Sequence, residues 1–334
     1  MTALADISSL PWVVFVAAIL FFLALDLGVF HRHAHVVRVR EALLWSAIWV
    51  ACAIAFAFVG APLLVASWTR ADTVVFLTGY VIELSLSMDN VFVIALIFAW
   101  FRVPQELQHR VLFWGILGAL VMRGAMIGVG AAAVSRFEWV LYLLALVVLY
   151  SGLKMIFAGG DDDVHPDRNI VVRLARKLYP VTSDYQGQHF LTRLNGRRAL
   201  TPLALVLVCV ETTDLVFAVD SIPAIFGVTK NGFIIFTSNV FAILGLRSLY
   251  FLLAGAIGCF RYLKTGLAVV LVFIGVKMLI DPHGHPPKWF QREIPNAASL
   301  AIVGGIIAVS VLASILAARR DGGPTGDSKT PPIS

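Results

Sequence analysis

Charge is scarce in this chain. Only 14% of its 334 residues are Asp, Glu, Lys or Arg, and 59% are hydrophobic. Soluble globular domains carry roughly 25% charged residues, so an ordinary soluble domain is excluded. Cysteine is scarce too: Cys52, Cys209 and Cys259 all lie in or at the end of apolar stretches. Their spacing fits no zinc or disulfide pattern, which leaves them as small packing residues. No Walker A pattern appears, so ATP is not a direct energy source. Nothing resembles a nucleophile–base arrangement or a prosthetic-group motif, so neither an enzyme nor a bound cofactor is expected. The apolar runs do not alternate with period two, which excludes a transmembrane barrel. No Lys or Arg precedes the first apolar run. A cleavable signal peptide needs a basic start, so this run is expected to stay as a membrane helix. The net charge of +6 does not indicate nucleic acid, because the basic residues sit mostly in connectors.

What is present is a series of apolar stretches near 20 residues long, separated by short charged connectors. That pattern predicts an all-α polytopic transmembrane bundle in a lipid bilayer. Nine spans are expected: 11–30, 42–59, 73–101, 111–134, 139–158, 201–226, 233–258, 262–280 and 297–318. With the N-terminus outside, 17 Lys and Arg fall in inner connectors and 5 in outer ones. Four more, Arg123, Lys154, Arg247 and Lys277, lie within spans. The bias places the C-terminus in the cytoplasm. The tail 319–334 is rich in Gly, Pro and Ser and is expected to be disordered.

Two parts of the chain match one another. Asp89-Asn-Val-Phe-Val-Ile aligns with Asp214-Leu-Val-Phe-Ala-Val, Arg123 with Arg247, and Gly152-Leu-Lys-Met-Ile with Gly275-Val-Lys-Met-Leu. The offsets run 125, 124 and 123, in order. The unit is three helices, so the second copy enters the membrane from the opposite face and the repeat is inverted. Such repeats place a substrate site near the midplane. The chain then divides into two N-terminal helices (1–72), the first unit (73–158), a cytoplasmic loop (159–200), the second unit (201–281), an outer loop with the last helix (282–318) and the tail.

Five carboxylates interrupt these spans: Glu83 and Asp89 in the third, and Glu211, Asp214 and Asp220 in the sixth. A charge at bilayer depth costs at least ~2.5 kcal/mol, so each one points to function. Glu83, Ser87 and Asn90 share a helix face, with Asp89 turned about 120° from Glu83. Either the helix loosens there or Asp89 addresses a second neighbour. Glu211 and Asp214 share a face. Pro223 frees the carbonyl of Val219, which predicts a broken helix beside Asp220. All candidate ligands are oxygens: the five acids, Asn90, and the hydroxyls of Ser85, Ser87, Thr212, Thr213 and Ser221. A hard-oxygen set suits Mg²⁺, Ca²⁺ or Mn²⁺. Arg123 and Arg247 neutralise part of the set and leave three negative charges for a divalent cation or protons. Asp220 lies ~9 Å beyond Asp214 along a helix and could be a gate or second station.

The chain also resembles the TerC family of integral membrane proteins. The resemblance rests on Leu25-Asp-Leu-Gly-Val-Phe-His31, on Glu83-Leu-Ser-Leu-Ser-Met-Asp-Asn90, and on the long run Val210-Glu-Thr-Thr-Asp-Leu-Val-Phe-Ala-Val-Asp-Ser-Ile-Pro-Ala-Ile-Phe226. It implies manganese export across the bacterial inner membrane, as in Alx-type members of the lysine-exporter superfamily. It further implies that Glu83, Asp89, Glu211, Asp214 and Asp220 are the metal-site acids, and it includes Asp26 as a supporting charge. Proton exchange on the same carboxylates is the expected coupling. The alternative is a non-transporting assembly or tellurite-stress component that uses the 159–200 loop as a partner surface.

Overall fold

A computed structural model describes residues 8–25, 39–157, 169–194, 196–254, 262–282, 291–292 and 294–320. Asp26, the ends of the first and seventh spans, Cys259 and the tail beyond Arg320 lie outside the described residues. The helices are α1 (Ser9–Leu25), α2 (Val39–Ala55), α3 (Ala61–Leu64), α4 (Arg70–Trp100), α5 (Gln105–Arg136), α6 (Trp139–Phe157), α7 (Ile170–Leu178), α8 (Pro202–Phe226), α9 (Gly232–Ala254), α10 (Leu263–Ile280) and α11 (Asn296–Arg320). One π turn, Phe56–Gly60, joins α2 to α3.

Eight helical stretches among the described residues are long and apolar enough to cross a membrane. The expected first span is the shortfall: α1 has 17 residues, and the rest of that stretch is outside the described residues. By contrast, α4 and α5 are longer than expected, with 31 and 32 residues. At 1.5 Å per residue they run to ~47 Å, beyond a hydrocarbon core of ~30 Å. Local chemistry sets the starts. Thr69 and Asp72 form a reciprocal capping box on α4, and Thr201 caps α8 ahead of Pro202. The expected break at Pro223 does not occur: α8 continues to Phe226 and Gly227 closes it. Pro223 sits in the last turn, so only three residues of helix follow the bond it cannot make to the Val219 carbonyl.

The core lies between α4–α6 and α8–α10. Helix α4 packs on α8 and α9, α5 on α8 and α9, and α6 on α10. Phe76 meets Phe241 and Phe98 meets Tyr250, so α4 and α9 run parallel. The α6–α10 seam is a close backbone approach. A Cβ on Gly152 would lie 2.8 Å from the Val272 nitrogen, and one on Gly275 would lie 2.8 Å from the Leu149 nitrogen. Outside this core, α1, α2 and α11 expose Leu10, Phe21, Leu44, Val309 and Leu312. In water such surface would drive aggregation; facing lipid tails it carries no penalty.

The long connector is more than a loop. Its described part forms the amphipathic α7 and an antiparallel hairpin, β1 (Leu191–Leu194) with β2 (Arg197–Leu200). Gly196 turns the hairpin with φ +78°. Tyr185 ties this region to the end of α4 by donating to the Phe101 carbonyl at 2.9 Å.

Candidate cation site

Arg123 organises the polar centre. It rises from α5 into the gap between α4 and α8 and is only 2% exposed. Its Nε donates to Asp214 Oδ2 at 3.1 Å and its Nη2 to Asp214 Oδ1 at 2.8 Å. This is the bidentate fork that a guanidinium makes with a carboxylate. Nη1 pairs with Glu83 Oε1, and Ser221 Oγ lies 3.4 Å from the same nitrogen. Asn90 Nδ2 donates to Asp214 Oδ1 at 3.4 Å. One cation thus joins an acid of each triplet deep in the bundle.

The other acids are placed differently. Glu211 lies beside this trio, its carboxylate against Gly118 of α5, where a Cβ would collide with it. Glycine is therefore what admits that carboxylate. Glu83 Oε2 and Glu211 Oε2 are buried with no hydrogen-bond partner among the described residues. Asp220 is drawn away: its Oδ1 accepts from Ser151 Oγ of α6 at 2.6 Å, and Lys154 is its nearby positive charge. Helix α4 stays regular through Asn90, so Asp89 lies about 100° around the helix from Asn90. Asp89 and Arg247 are both half-buried. The predicted acids therefore divide. Glu83 and Asp214 meet at Arg123, with Asn90 on Asp214 and Glu211 one helical turn from Asp214, while Asp220 is held by Ser151.

No group of three or more His, Cys, Asp or Glu among the described residues is arranged to hold a metal. The physical reason is visible: the guanidinium occupies the space between Glu83 and Asp214. An ion pair at this depth is costly to form and more costly to halve. Beside it, Glu83 Oε2 and Glu211 Oε2 keep unused acceptor capacity.

Ser151, Gly118 and Asn169 did not stand out in the sequence. Ser151 is two residues from the Lys154 of the repeat motif, which is the only signal that pointed to it. Asn169 Nδ2 donates to Thr212 Oγ1 at 2.7 Å, next to Glu211.

The TerC family of integral membrane proteins matches residues 68–322. The chain belongs to the TerC family. This TerC chain is 46% identical over 326 residues to the uncharacterised membrane protein STKORF319 of Myxococcus xanthus, covering 96% of each. It is 44% identical over 308 residues to the candidate membrane-bound redox modulator Alx of Escherichia coli K12, covering 91% of this chain and 93% of that one. It is also 46% identical over 240 residues to the thylakoid membrane protein TERC of Arabidopsis thaliana, covering 72% of this chain and 60% of that protein. No solved structure matches it. The TerC chain is a multi-pass integral membrane protein with Alx-type homologues.

Proposed function

We propose that this chain is a secondary transporter that exports divalent cations, Mn²⁺ first among them, through the acids around Arg123. The observation that carries the reading is the buried Glu83–Arg123–Asp214 trio with two partnerless carboxylate oxygens beside it. Intramembrane acids that face a bundle interior line ion pathways. In the closed form Arg123 holds the place of the cargo. An incoming cation takes Glu83, Asp214, Glu211 and Asn90 as oxygen ligands while the guanidinium swings aside. Asp89 and Asp220 then serve as stations on the way in and out. Oxygen ligands alone suit Mn²⁺, Ca²⁺ and Mg²⁺; the choice of Mn²⁺ follows the family resemblance.

Packing favours the inverted repeat. The 123-residue offset that relates Gly152 to Gly275 also relates Leu149 to Val272. These four positions form the α6–α10 seam reciprocally, 152 against 272 and 275 against 149. A two-fold axis between the helices requires such reciprocity, and each of α4, α5 and α6 packs on its own counterpart. The basic-residue bias sets the N-terminus outside and the C-terminus in the cytoplasm of an inner membrane.

Moving two charges outward against 100 mV costs ~4.6 kcal/mol. Protons entering on the released carboxylates supply that coupling. The test is Mn²⁺ flux in proteoliposomes under a pH gradient, with Ca²⁺ and Mg²⁺ as competitors. Asp214→Asn and Asp89→Asn should each reduce flux at least tenfold. Wild-type flux in both would overturn the site.

One observation favours the non-transporting reading. The hairpin exposes Leu191, Leu194, Arg193, Arg197 and Arg198, a surface suited to an acidic partner. On that reading hairpin deletion abolishes function and the acid-to-amide changes are silent.

A further inference from the structure

The hairpin that leads into α8 pairs like charges. Its register sets Leu191 opposite Leu200, Thr192 opposite Ala199, Arg193 opposite Arg198 and Leu194 opposite Arg197. Side chains alternate across a strand, so Leu191, Arg193, Arg198 and Leu200 share one face. Ala199, on the other face, is 1% exposed, so that face lies against the protein. The outer face holds the two arginines, and both are exposed. Residues directly opposed stand about 4.5–5.5 Å apart at Cβ, and like charges there destabilise the pairing. No ion pair engages Arg193, Arg197 or Arg198 among the described residues. An anion from outside the chain would relieve that repulsion.

The adjoining helix has the same mixed character. Ile170, Leu174 and Leu178 recur every four residues along α7 and are all exposed. Arg173 and Lys177, four apart, form an exposed basic row beside them. The bridge between Val181 and Leu200 ties the end of α7 to the base of the hairpin. Residues 169–200 contain six Lys or Arg and one acid, Asp184. A surface that is apolar and basic at once fits the boundary between acyl chains and phosphates.

Position favours lipid over a soluble partner. The 25 residues of α8 rise ~37 Å. That exceeds a hydrocarbon core of ~30 Å and falls short of a whole bilayer of ~40–45 Å, so Pro202 lies in a headgroup layer. Trp100, 41% exposed, borders the same surface cleft as Pro202 and Leu205, and tryptophan collects at that boundary. Arg198 is four residues from Pro202, at most ~14 Å of extended chain. Arg193 stands across from it.

We propose that the hairpin and α7 form a docking surface for anionic phospholipid headgroups. Arg193 and Arg198 share a lipid phosphate, and the leucines enter the acyl boundary. The surface depends neither on transport nor on which way the chain faces, because its distance to α8 fixes it.

The test uses full-length protein in nanodiscs, where both membrane faces meet solvent. One set is phosphatidylcholine, the other a mixture with phosphatidylglycerol. Backbone hydrogen exchange across 191–200 reads hairpin opening. Phosphatidylglycerol should slow it at least about fivefold, the effect of one basic residue near an anionic surface. High salt should remove the difference. Arg193→Gln combined with Arg198→Gln should invert the comparison. Freed of repulsion, its hairpin should exchange more slowly than wild type in neutral discs, and phosphatidylglycerol should add nothing. The wild-type arms decide alone if that variant does not fold. Equal exchange in the two discs overturns the surface and leaves the hairpin to a soluble acidic partner. Inorganic phosphate that protects equally in neutral discs overturns lipid as the occupant. A double variant that still responds to phosphatidylglycerol overturns the arginine pair as the site.

Discussion

The two three-helix units are alike in packing and unlike in charge. At the α6–α10 seam they meet through equivalent glycines, each against the other's backbone. At the polar centre the equivalence stops. Position 208, the counterpart of Glu83, is Val; position 86, the counterpart of Glu211, is Leu; position 95, the counterpart of Asp220, is Ala. The matched charges are Asp89 with Asp214, Arg123 with Arg247 and Lys154 with Lys277. The first unit contributes an acid that is fully buried and clamped, Glu83. The second contributes Asp214, 12% exposed, and Glu211, which lacks one partner. Similar packing thus holds different charges: both halves grip the guanidinium, Glu83 from one and Asp214 from the other, while Glu83, Glu211 and Asp220 have no charged counterpart.

The largest effect should come from breaking the clamp. Arg123→Met leaves Glu83 buried with no counter-charge, a loss of about 3–5 kcal/mol. Thermal unfolding followed by size exclusion should show a fall in Tm far greater than for Arg247→Met, because Arg247 is only half-buried. Adding Glu83→Gln to Arg123→Met should recover part of the loss. Equal Tm changes at the two arginines would mean that the halves are electrostatically equivalent after all.

That clamp was only half legible in the sequence. The cost of charge in lipid singled out Glu83, Asp214 and Arg123 one by one, and the apolar runs located the helices because hydrocarbon imposes length and composition directly. Pairing was not legible: Arg123 meets Asp214 across 91 positions, and no local pattern encodes such a contact. Pro223 misled because proline breaks helix interiors, whereas here it falls in a final turn. Asn169 was invisible because the basic residues after it read as a solvated loop. Only the bond from Asn169 to Thr212 shows that the start of α7 is tied to α8.

The seam should be the next most sensitive place, and the most symmetric. Gly152→Ala and Gly275→Ala each push a methyl group into backbone that cannot rotate away, an overpacking cost of about 1–3 kcal/mol. The two losses should agree closely. Combining them should cost less than their sum, because both relax through one helix separation. Strongly unequal single losses would break the likeness of the two units at the point where it is closest.

The smallest effect should mark the position where the halves share least. Ser151→Ala removes the hydroxyl that holds Asp220 away from the Arg123 centre. One hydrogen bond is worth about 1 kcal/mol net, so Tm should fall by only a few degrees. Because Asp220 stands apart from Asp214, Mn²⁺ flux should change at most about threefold, by the same ~1 kcal/mol. Should Asp220→Asn prove as damaging as Asp214→Asn, Asp220 would have to enter the centre during transport. The Ser151 bond would then be a resting position, with α6 taking part in the cycle.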